Sequence, residues 1–496
     1  TSSLFAGVTS SIPLLENAPF KVKPKTELFD KRKEESPVVI DTTQADGIKG
    51  QEFTSVDALI RIPNENTLIT PENKPVLLEP ADEVADSLEP VMADKPLYDT
   101  ILGSSEPSPQ YGIIGEISNR KIALDLNQTH TISLFGVQGS GKSYTLGSII
   151  EMACLLIGNI NLLPNPLSTV VFHYSTTEDY KPEFVSMEKP NSVADQIKHL
   201  KDRYGATPQA LKDIVLLTPK AKVEQRKLEN PGLTVLPITF SSSELKTSHW
   251  KFLMGAVGSQ SMYIRQVNFI MRKLRDNLKL EGILQEIDHS SLTENLKDLA
   301  RTRLLFASEY IDDSRRLEDV IKPGRLIIVD LRDELIEKDE ALGLFLVMLE
   351  IFSEATSEGR SYNKLVVFDE AHKYIENQDL ITGLIEVVRE MRHKGTNIMI
   401  ASQEPRSVPV SIIELSTEII LHRFNSPEWL KQIQKANTAL SSLTAEKMAN
   451  LHPGEAYIWS SRSSDDRFTR EAIKVKGRPR VTLHGGATKT AVSHNE

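Results

Sequence analysis

The residues best suited to chemistry lie between Gly136 and Ser143, which read Gly-Val-Gln-Gly-Ser-Gly-Lys-Ser. This spacing is GxxxxGK[ST], in which glycines let successive backbone N–H groups close around phosphate oxygens. An apolar run at 131–135 precedes the loop and a helical pattern at 144–156 follows it, so the loop leaves a strand and opens a helix. The positive end of that helix also attracts phosphate. The sequence therefore predicts a binding site for a nucleoside triphosphate.

Within this site, Lys142 is placed to reach the β- and γ-phosphates of ATP, and the Ser143 hydroxyl is placed to bind Mg²⁺. We assign nucleotide binding to the residues of the loop and to the first residue beyond it. These residues are Gly136, Gln138, Gly139, Ser140, Gly141, Lys142, Ser143 and Tyr144.

A second group of chemical residues follows the apolar run Leu-Val-Val-Phe at 365–368, which ends in Asp369 and Glu370. Ligands of open α/β sheets bind at the carboxyl ends of strands, so Asp369 would hold the Mg²⁺ shell. Glu370 would polarise the water that attacks the γ-phosphate. A carboxylate there suits a hydrolase, whereas a metabolite kinase must keep water out. The alternative interpretation is an acidic turn after a strand.

A third predicted strand, 397–401, ends in Ser402 and Gln403. If it neighbours the strand that carries Asp369, the Gln403 amide would hydrogen-bond the γ-phosphate or the attacking water. Gln403 would then report whether the γ-phosphate is present. The alternative is a polar strand end without a role in the site.

From residue 111 onward, apolar runs alternate with helical periods, which predicts an α/β fold with a mostly parallel sheet covered by helices. Apolar residues at three- and four-residue spacing predict an inserted helical subdomain at about 245–320. Nine strands are predicted: 121–126, 131–135, 168–173, 214–217, 326–330, 365–368, 397–401, 418–421 and 455–459.

The two ends of the chain differ from this core. Residues 1–110 are predicted to hold an acidic, proline-rich linker and a small β domain, with a strand at 58–62 as its clearest signal. Between residues 72 and 99 there are eight carboxylates against two lysines. Residues 476–496 are Gly-, Thr- and Ser-rich, and we predict a flexible tail there.

Composition narrows the classes of function. The net charge of −10 argues against a protein that coats nucleic acid, although a basic pore remains compatible with it. The single cysteine, Cys154, excludes a disulfide framework and a cysteine-based zinc site, and it favours the cytoplasm. No run approaches the roughly 18 apolar residues of a membrane span, so no membrane partner is expected.

The order of these motifs resembles the HerA branch of the HerA/FtsK superfamily over about residues 108–475. The resemblance rests on the phosphate loop, the Asp369-Glu370 strand, the Ser402-Gln403 strand and the following Pro405 and Ile419–Pro427 segment. It implies a RecA-like P-loop NTPase core at 111–475 and a homohexameric ring with double-stranded DNA in its central pore. Relatives also work with a nuclease or another effector, in some cases in anti-phage defence.

The resemblance implies that an arginine from a neighbouring subunit stabilises charge on the γ-phosphoryl group. Arg392, at the end of the helix before the Gln403 strand, and Arg423, after the 418–421 strand, are the two candidates. Helix-end arginines also occur simply because a cation suits the negative end of the helix dipole.

The preferred interpretation is Mg²⁺-dependent ATP hydrolysis that drives translocation on, or unwinding of, double-stranded DNA. An ATP-dependent scaffold that assembles or licenses a partner effector is the alternative. A third interpretation is an ATPase that drives DNA or protein through an envelope channel, as related conjugation ATPases do.

Overall fold

The computed structural model describes residues 96–254, 262–275, 278–376 and 378–486. The chain divides into two units, Thr1–Ser87 and Leu88–Glu496. The first unit, which contains the predicted strand at 58–62 and most of the acidic segment, lies outside the described residues. Residues 487–496 of the predicted tail also lie outside them.

In the described residues, one mixed sheet contains fourteen strands. They are β1 Thr100–Leu102, β2 Tyr111–Ile117, β3 Arg120–Asp125, β4 Thr131–Phe135, β5 Asn161–Leu162, β6 Ser168–Ser175, β7 Ile214–Thr218, β8 Thr234–Pro237, β9 Leu326–Arg332, β10 Lys364–Phe368, β11 Thr396–Ser402, β12 Glu418–Leu421, β13 Glu455–Ser460 and β14 Ile473–Gly477.

The strand order is β1-β3-β2-β14-β13-β12-β4-β11-β10-β6-β9-β7-β8, and β5 pairs with β2. From β12 to β8 every neighbouring pair is parallel, whereas β13, β14 and β2 continue the sheet in antiparallel pairing. The predicted α/β class with a mostly parallel sheet is therefore confirmed. Parallel strands need long crossovers, which explains the helices that separate them along the chain.

The described part of the chain contains thirteen α-helices, and none of them is both long and apolar enough to cross a membrane. They are α1 Lys142–Cys154, α2 Ala194–His199, α3 Val223–Glu229, α4 Thr247–Leu253, α5 Met262–Leu274, α6 Leu280–Asp288, α7 Glu294–Ser308, α8 Lys338–Glu354, α9 Gln378–Met391, α10 Val410–Glu414, α11 Pro427–Ala436, α12 Ala445–Ala449 and α13 Arg467–Arg470.

Both faces of the sheet are covered because successive side chains of each buried strand point to opposite sides. On β6, Val170 and Phe172 join the apolar cluster with α8, while Val171 joins the cluster with α1. Phe172 stacks on Phe345 of α8 with ring centroids 4.5 Å apart. Helices α4 to α7 lie between β8 and β9 in the chain and pack on the α8 face, where the helical insertion was predicted.

A buried histidine holds the start of β4, the strand that leads to the phosphate loop. His130 Nε2 lies 2.9 Å from Asp125 Oδ2, and its Nδ1 lies 3.4 Å from Glu418 Oε2. Burial by itself lowers the pKa of His130, but Glu418 and Asp125 outweigh it and raise the pKa to about 9. A protonated His130 therefore links the last residue of β3 to the first residue of β12.

This histidine predicts a pH dependence of stability. Its pKa is higher in the folded protein than its ordinary value of 6.5, so the stabilisation is complete below pH 6.5 and is lost as the pH rises through 9. We expect the free energy of unfolding to fall by about 3 kcal/mol across that window. Denaturant unfolding at several pH values measures it. His130→Gln should flatten the dependence, whereas a variant at the exposed His289 should leave it unchanged.

Candidate active site

The phosphate loop joins β4 directly to α1, as the motif requires. Gly141 has φ of +103°, a conformation that side chains other than glycine rarely adopt. Gly136 is needed for a different reason, since a Cβ there would lie 2.6 Å from both His422 Cβ and Ser140 Oγ. The Ser140 hydroxyl closes the loop by donating to the Val137 carbonyl at 2.7 Å. Contacts within the chain thus hold the shape of the loop.

The strand order brings the three predicted chemical segments to one edge of the sheet. β11 lies between β4 and β10 and pairs in parallel with both. At their carboxyl ends, the phosphate loop follows β4, Gln403 follows β11 and Asp369 follows β10. The strand that ends in Gln403 is therefore a neighbour of the strand that ends in Asp369, as the prediction for Gln403 requires.

At this edge Glu370 accepts two hydrogen bonds on one carboxylate oxygen. Lys142 Nζ donates at 2.6 Å and Gln403 Nε2 donates at 3.1 Å, both to Glu370 Oε1. Lys142 and Glu370 are 3% and 2% exposed, so the ion pair is almost free of solvent screening. The lysine of the phosphate loop and the predicted base therefore form a buried ion pair.

The backbone of Glu370 is strained. Its φ of +50° and ψ of +44° lie in the left-handed region, which residues with a side chain enter at a cost of about 1–3 kcal/mol. Strain of this kind persists where the surroundings hold it, and it often accompanies a functional position. The conformation turns the chain sharply after Asp369, at the end of β10.

Asp369 retains its negative charge although it is buried. Burial by itself would raise its pKa, but His173 and the charge of Lys142 lower the pKa below its usual value. His173 Nδ1 lies 3.7 Å from Asp369 Oδ2, and the Tyr374 hydroxyl donates to the Asp369 carbonyl at 3.0 Å. Asp369 Oδ1 is buried and has no hydrogen-bond partner in the described residues.

That unpaired oxygen fits a divalent cation. Mg²⁺ prefers oxygen ligands and usually takes only one or two from the protein, with water and phosphate oxygens completing its shell. Asp369 and the hydroxyl of Ser143 are the residues that would hold it. No group of three or more His, Cys, Asp or Glu side chains in the described residues could hold a metal ion by itself.

His422 is a site residue that the sequence did not reveal. It is fully buried beneath the phosphate loop, and Gly136 packs against it. Its Nδ1 faces the Glu455 carbonyl at 3.0 Å, so Nδ1 carries the proton and Nε2 accepts from the Thr145 hydroxyl at 3.0 Å. Burial lowers the pKa of His422 to about 4, which keeps it neutral. His422 thus links the start of α1 to β13.

Two curated proteins are similar to this chain. The DNA double-strand break repair helicase HerA of Sulfurisphaera tokodaii is 21% identical over 348 residues, which are 66% of this chain and 62% of that protein. The protein of the same name from Saccharolobus solfataricus is 28% identical over 110 residues, 22% of each chain. The predicted resemblance to HerA is confirmed. The chain spans less than two thirds of the length of either relative.

No protein-family model matches this chain. Among solved structures, VirB4 of Thermoanaerobacter pseudethanolicus aligns with a TM-score of 0.43 at 11% identity and covers 74% of this chain and 96% of its own.

The two candidate arginines lie at opposite edges of the sheet. Arg392 follows α9 and lies just before β11, at the edge away from the phosphate loop. There it lines an open groove of about 760 Å³ together with Thr129 and Arg462. Arg423 lies at the same edge as the phosphate loop, and its carbonyl accepts from the Val137 N–H at 3.1 Å. The structure therefore does not bring Arg392 to the site of its own chain.

Residues 478–486, which we call the C-terminal segment, pack against the sheet and α1 instead of forming the start of the flexible tail predicted at 476–496. Arg478 and Arg480 are 1% and 0% exposed. The reason is Glu151, a fully buried carboxylate on α1. It accepts from Arg478 Nη1 at 2.6 Å, from the Val481 N–H at 3.1 Å and from the Thr482 N–H and hydroxyl at 3.0 and 2.8 Å.

The bonds to Glu151 predict a large loss of stability in Glu151→Ala. The substitution would leave Arg478 buried without its partner, which typically costs about 3–5 kcal/mol. Denaturant unfolding measures the loss. Glu224→Ala removes an 83% exposed carboxylate paired with Lys227 and should change stability by less than about 1 kcal/mol. Equal stability of the two variants would contradict this role of Glu151.

Proposed function

We propose that this HerA-like chain hydrolyses ATP with the help of Mg²⁺. The observation that supports the proposal most strongly is the convergence of Lys142, Glu370 and Gln403 in one cavity of about 1170 Å³ at the carboxyl edge of the parallel strands. When bound, Mg²⁺ would neutralise charge on the phosphate oxygens. Asp369 and Ser143 are the residues that would hold it.

The ion pair between Lys142 and Glu370 suggests how ATP activates the base. While Glu370 Oε1 accepts from Lys142 and Gln403, it is a poor acceptor for a water proton. The γ-phosphate carries more negative charge than one carboxylate and competes for Lys142. Transfer of Lys142 to the phosphate would free Glu370 to take a proton from the attacking water. Gln403 would orient that water or contact the γ-phosphate.

We propose further that the chain acts on double-stranded DNA as a homo-oligomeric ring, a hexamer by its resemblance to HerA. The names of the two curated relatives, both DNA helicases, support this substrate. The net charge of −10 means that DNA contacts would be confined to a local basic lining. The position of Arg392 fits a ring, because it could complete a site only on a neighbouring subunit. The free Cys154 favours a cytoplasmic location.

A mixing experiment tests the role of Arg392. Arg392→Ala should lower turnover by about 10³-fold or more. Arg389→Ala, at an exposed arginine near the end of α9, should not. Mixing Arg392→Ala with Lys142→Ala subunits should restore part of the turnover, since some interfaces then combine an intact Lys142 with an intact Arg392. A mixture that stays as inactive as its parents would argue against Arg392 as the trans arginine.

A second candidate function, a scaffold for a partner effector, is favoured by the surface of the helical insertion. Soluble proteins rarely expose several large apolar side chains close together without a binding role. Helix α6 packs between α5 and α7, and five large apolar side chains on these helices are more than 40% exposed. They are Phe269, Leu284, Leu299, Leu305 and Phe306.

A further inference from the structure

We propose that the C-terminal segment forms the nucleoside end of the cavity, so that the base and ribose of ATP bind against Tyr144 and His484. This proposal rests on the proposed function, since it names the second half of the same nucleotide site. It assigns a role to residues that the triphosphate chemistry does not use.

The cavity extends well beyond the phosphate loop. Past Lys142 and Ser143 it is lined by Tyr144, Gln196 and residues 484–486 of the C-terminal segment. A triphosphate held by the loop reaches only the first part of this space. Tyr144 directly follows Ser143, so the space beside it is where the chain of phosphates would lead into the nucleoside.

The two aromatic rings at this end are held in place. His484 lies edge-on to Tyr144 with ring centroids 5.2 Å apart and an interplanar angle of 66°. His484 Nδ1 is 2.6 Å from Glu183 Oε1, and the Tyr144 hydroxyl accepts from the Arg480 N–H at 2.7 Å. The segment therefore fixes one ring directly and the other through its backbone.

The buried anchors make this arrangement stiff. Arg480 is completely buried beside Glu183, and its guanidinium donates to the Leu483 carbonyl at 3.1 Å and the Thr482 hydroxyl at 3.0 Å. Because Glu151 on α1 binds the same segment, the helix that opens at Lys142 and the wall at His484 form one bonded unit. These bonds tie the phosphate end of the cavity to its proposed nucleoside end.

The chemistry of this end suits a nucleobase. Aromatic rings stack on any base, and stacking is the usual means by which proteins hold bases without reading their edges. Gln196 adds a polar group, since its carboxamide oxygen accepts from the Tyr144 hydroxyl at 3.0 Å and from Asn191 Nδ2 at 2.9 Å. Its amide nitrogen is then the group left to donate to an acceptor of the base.

Calorimetric titration with Mg·ATP and with Mg·tripolyphosphate tests the proposal, because tripolyphosphate offers the phosphates without the nucleoside. His484→Ala should weaken ATP binding by about tenfold and leave tripolyphosphate binding unchanged. His484→Phe, which keeps a ring, should recover most of the ATP affinity. His289→Ala on the helical insertion is the matched control and should bind both ligands as the wild type does.

Two results would overturn the proposal: an equal loss for both ligands in His484→Ala, which indicates distortion of the whole site, or no loss for either. Thermal melting of each variant, compared with the wild type, detects a general folding defect. A wild-type chain that binds neither ATP nor tripolyphosphate would instead overturn the proposed ATPase function, and this proposal with it.

Discussion

Lys142→Ala should lower ATP turnover by at least about a thousandfold. The lysine is the cation of the phosphate loop, and removal of one preorganised donor that stabilises transition-state charge typically lowers turnover by about two to three orders of magnitude. Because Lys142 also supports nucleotide binding, the loss of transition-state stabilisation and the loss of ATP affinity both lower the rate. Steady-state ATP hydrolysis and calorimetric titration measure the two effects separately.

The same substitution should also destabilise the protein without nucleotide. Lys142 pairs with Glu370 at 2.6 Å, so Lys142→Ala leaves a buried carboxylate without its cation. Its remaining polar contacts are Gln403 Nε2 at 3.1 Å and His372 Nδ1 at 3.2 Å. We expect a loss of about 3–5 kcal/mol in the free energy of unfolding. The double variant Lys142→Ala/Glu370→Gln removes both charges and should regain most of this stability while remaining inactive. If the double variant were active, Lys142 would not be essential for turnover.

Glu370→Gln should lower turnover by about 10²–10⁴-fold, the usual contribution of a positioned general base. ATP binding should persist or tighten, because the phosphates no longer compete with a carboxylate for Lys142. The expected state is therefore bound and stalled, unlike that of Lys142→Ala. Single-turnover hydrolysis combined with nucleotide titration separates the two variants.

Glu404→Gln is the matched control for the base assignment. Glu404 follows Gln403 in the chain and is exposed, so its neutralisation should leave turnover near the wild-type rate. Near-normal turnover in Glu370→Gln would show that another group activates the water.

The nine strands predicted from apolar runs are all present. They could be predicted because each is a buried or partly buried run bounded by polar residues. Five strands of the described residues were missed, and three of them have local reasons. β2 contains two glycines and β8 ends in a proline. In β14, apolar residues alternate with lysines, a pattern that is also typical of solvent-exposed segments. Pairing with β13 and β2 overrides the weak propensity of β14.

The phosphate loop, Asp369, Glu370 and Gln403 could be located from sequence because each follows an apolar strand at a recognisable spacing. The C-terminal segment could not, because Gly-Arg-Pro-Arg has the composition of a linker and its partner Glu151 lies more than 300 residues away. A carboxylate in the apolar helix after the loop was the one available signal, since a buried charge needs a partner. No spacing or motif in the sequence indicated that His422 lies at the site.

The most direct test of the account is steady-state ATP hydrolysis with and without linear double-stranded DNA, on material whose mass in solution is measured in the same buffer. We expect a hexamer-sized species whose turnover requires Mg²⁺ and rises strongly with DNA. A hexamer that hydrolyses ATP at a rate indifferent to DNA would contradict the translocase and favour the scaffold, and a chain with no Mg²⁺-dependent turnover in either condition would contradict the proposed enzyme.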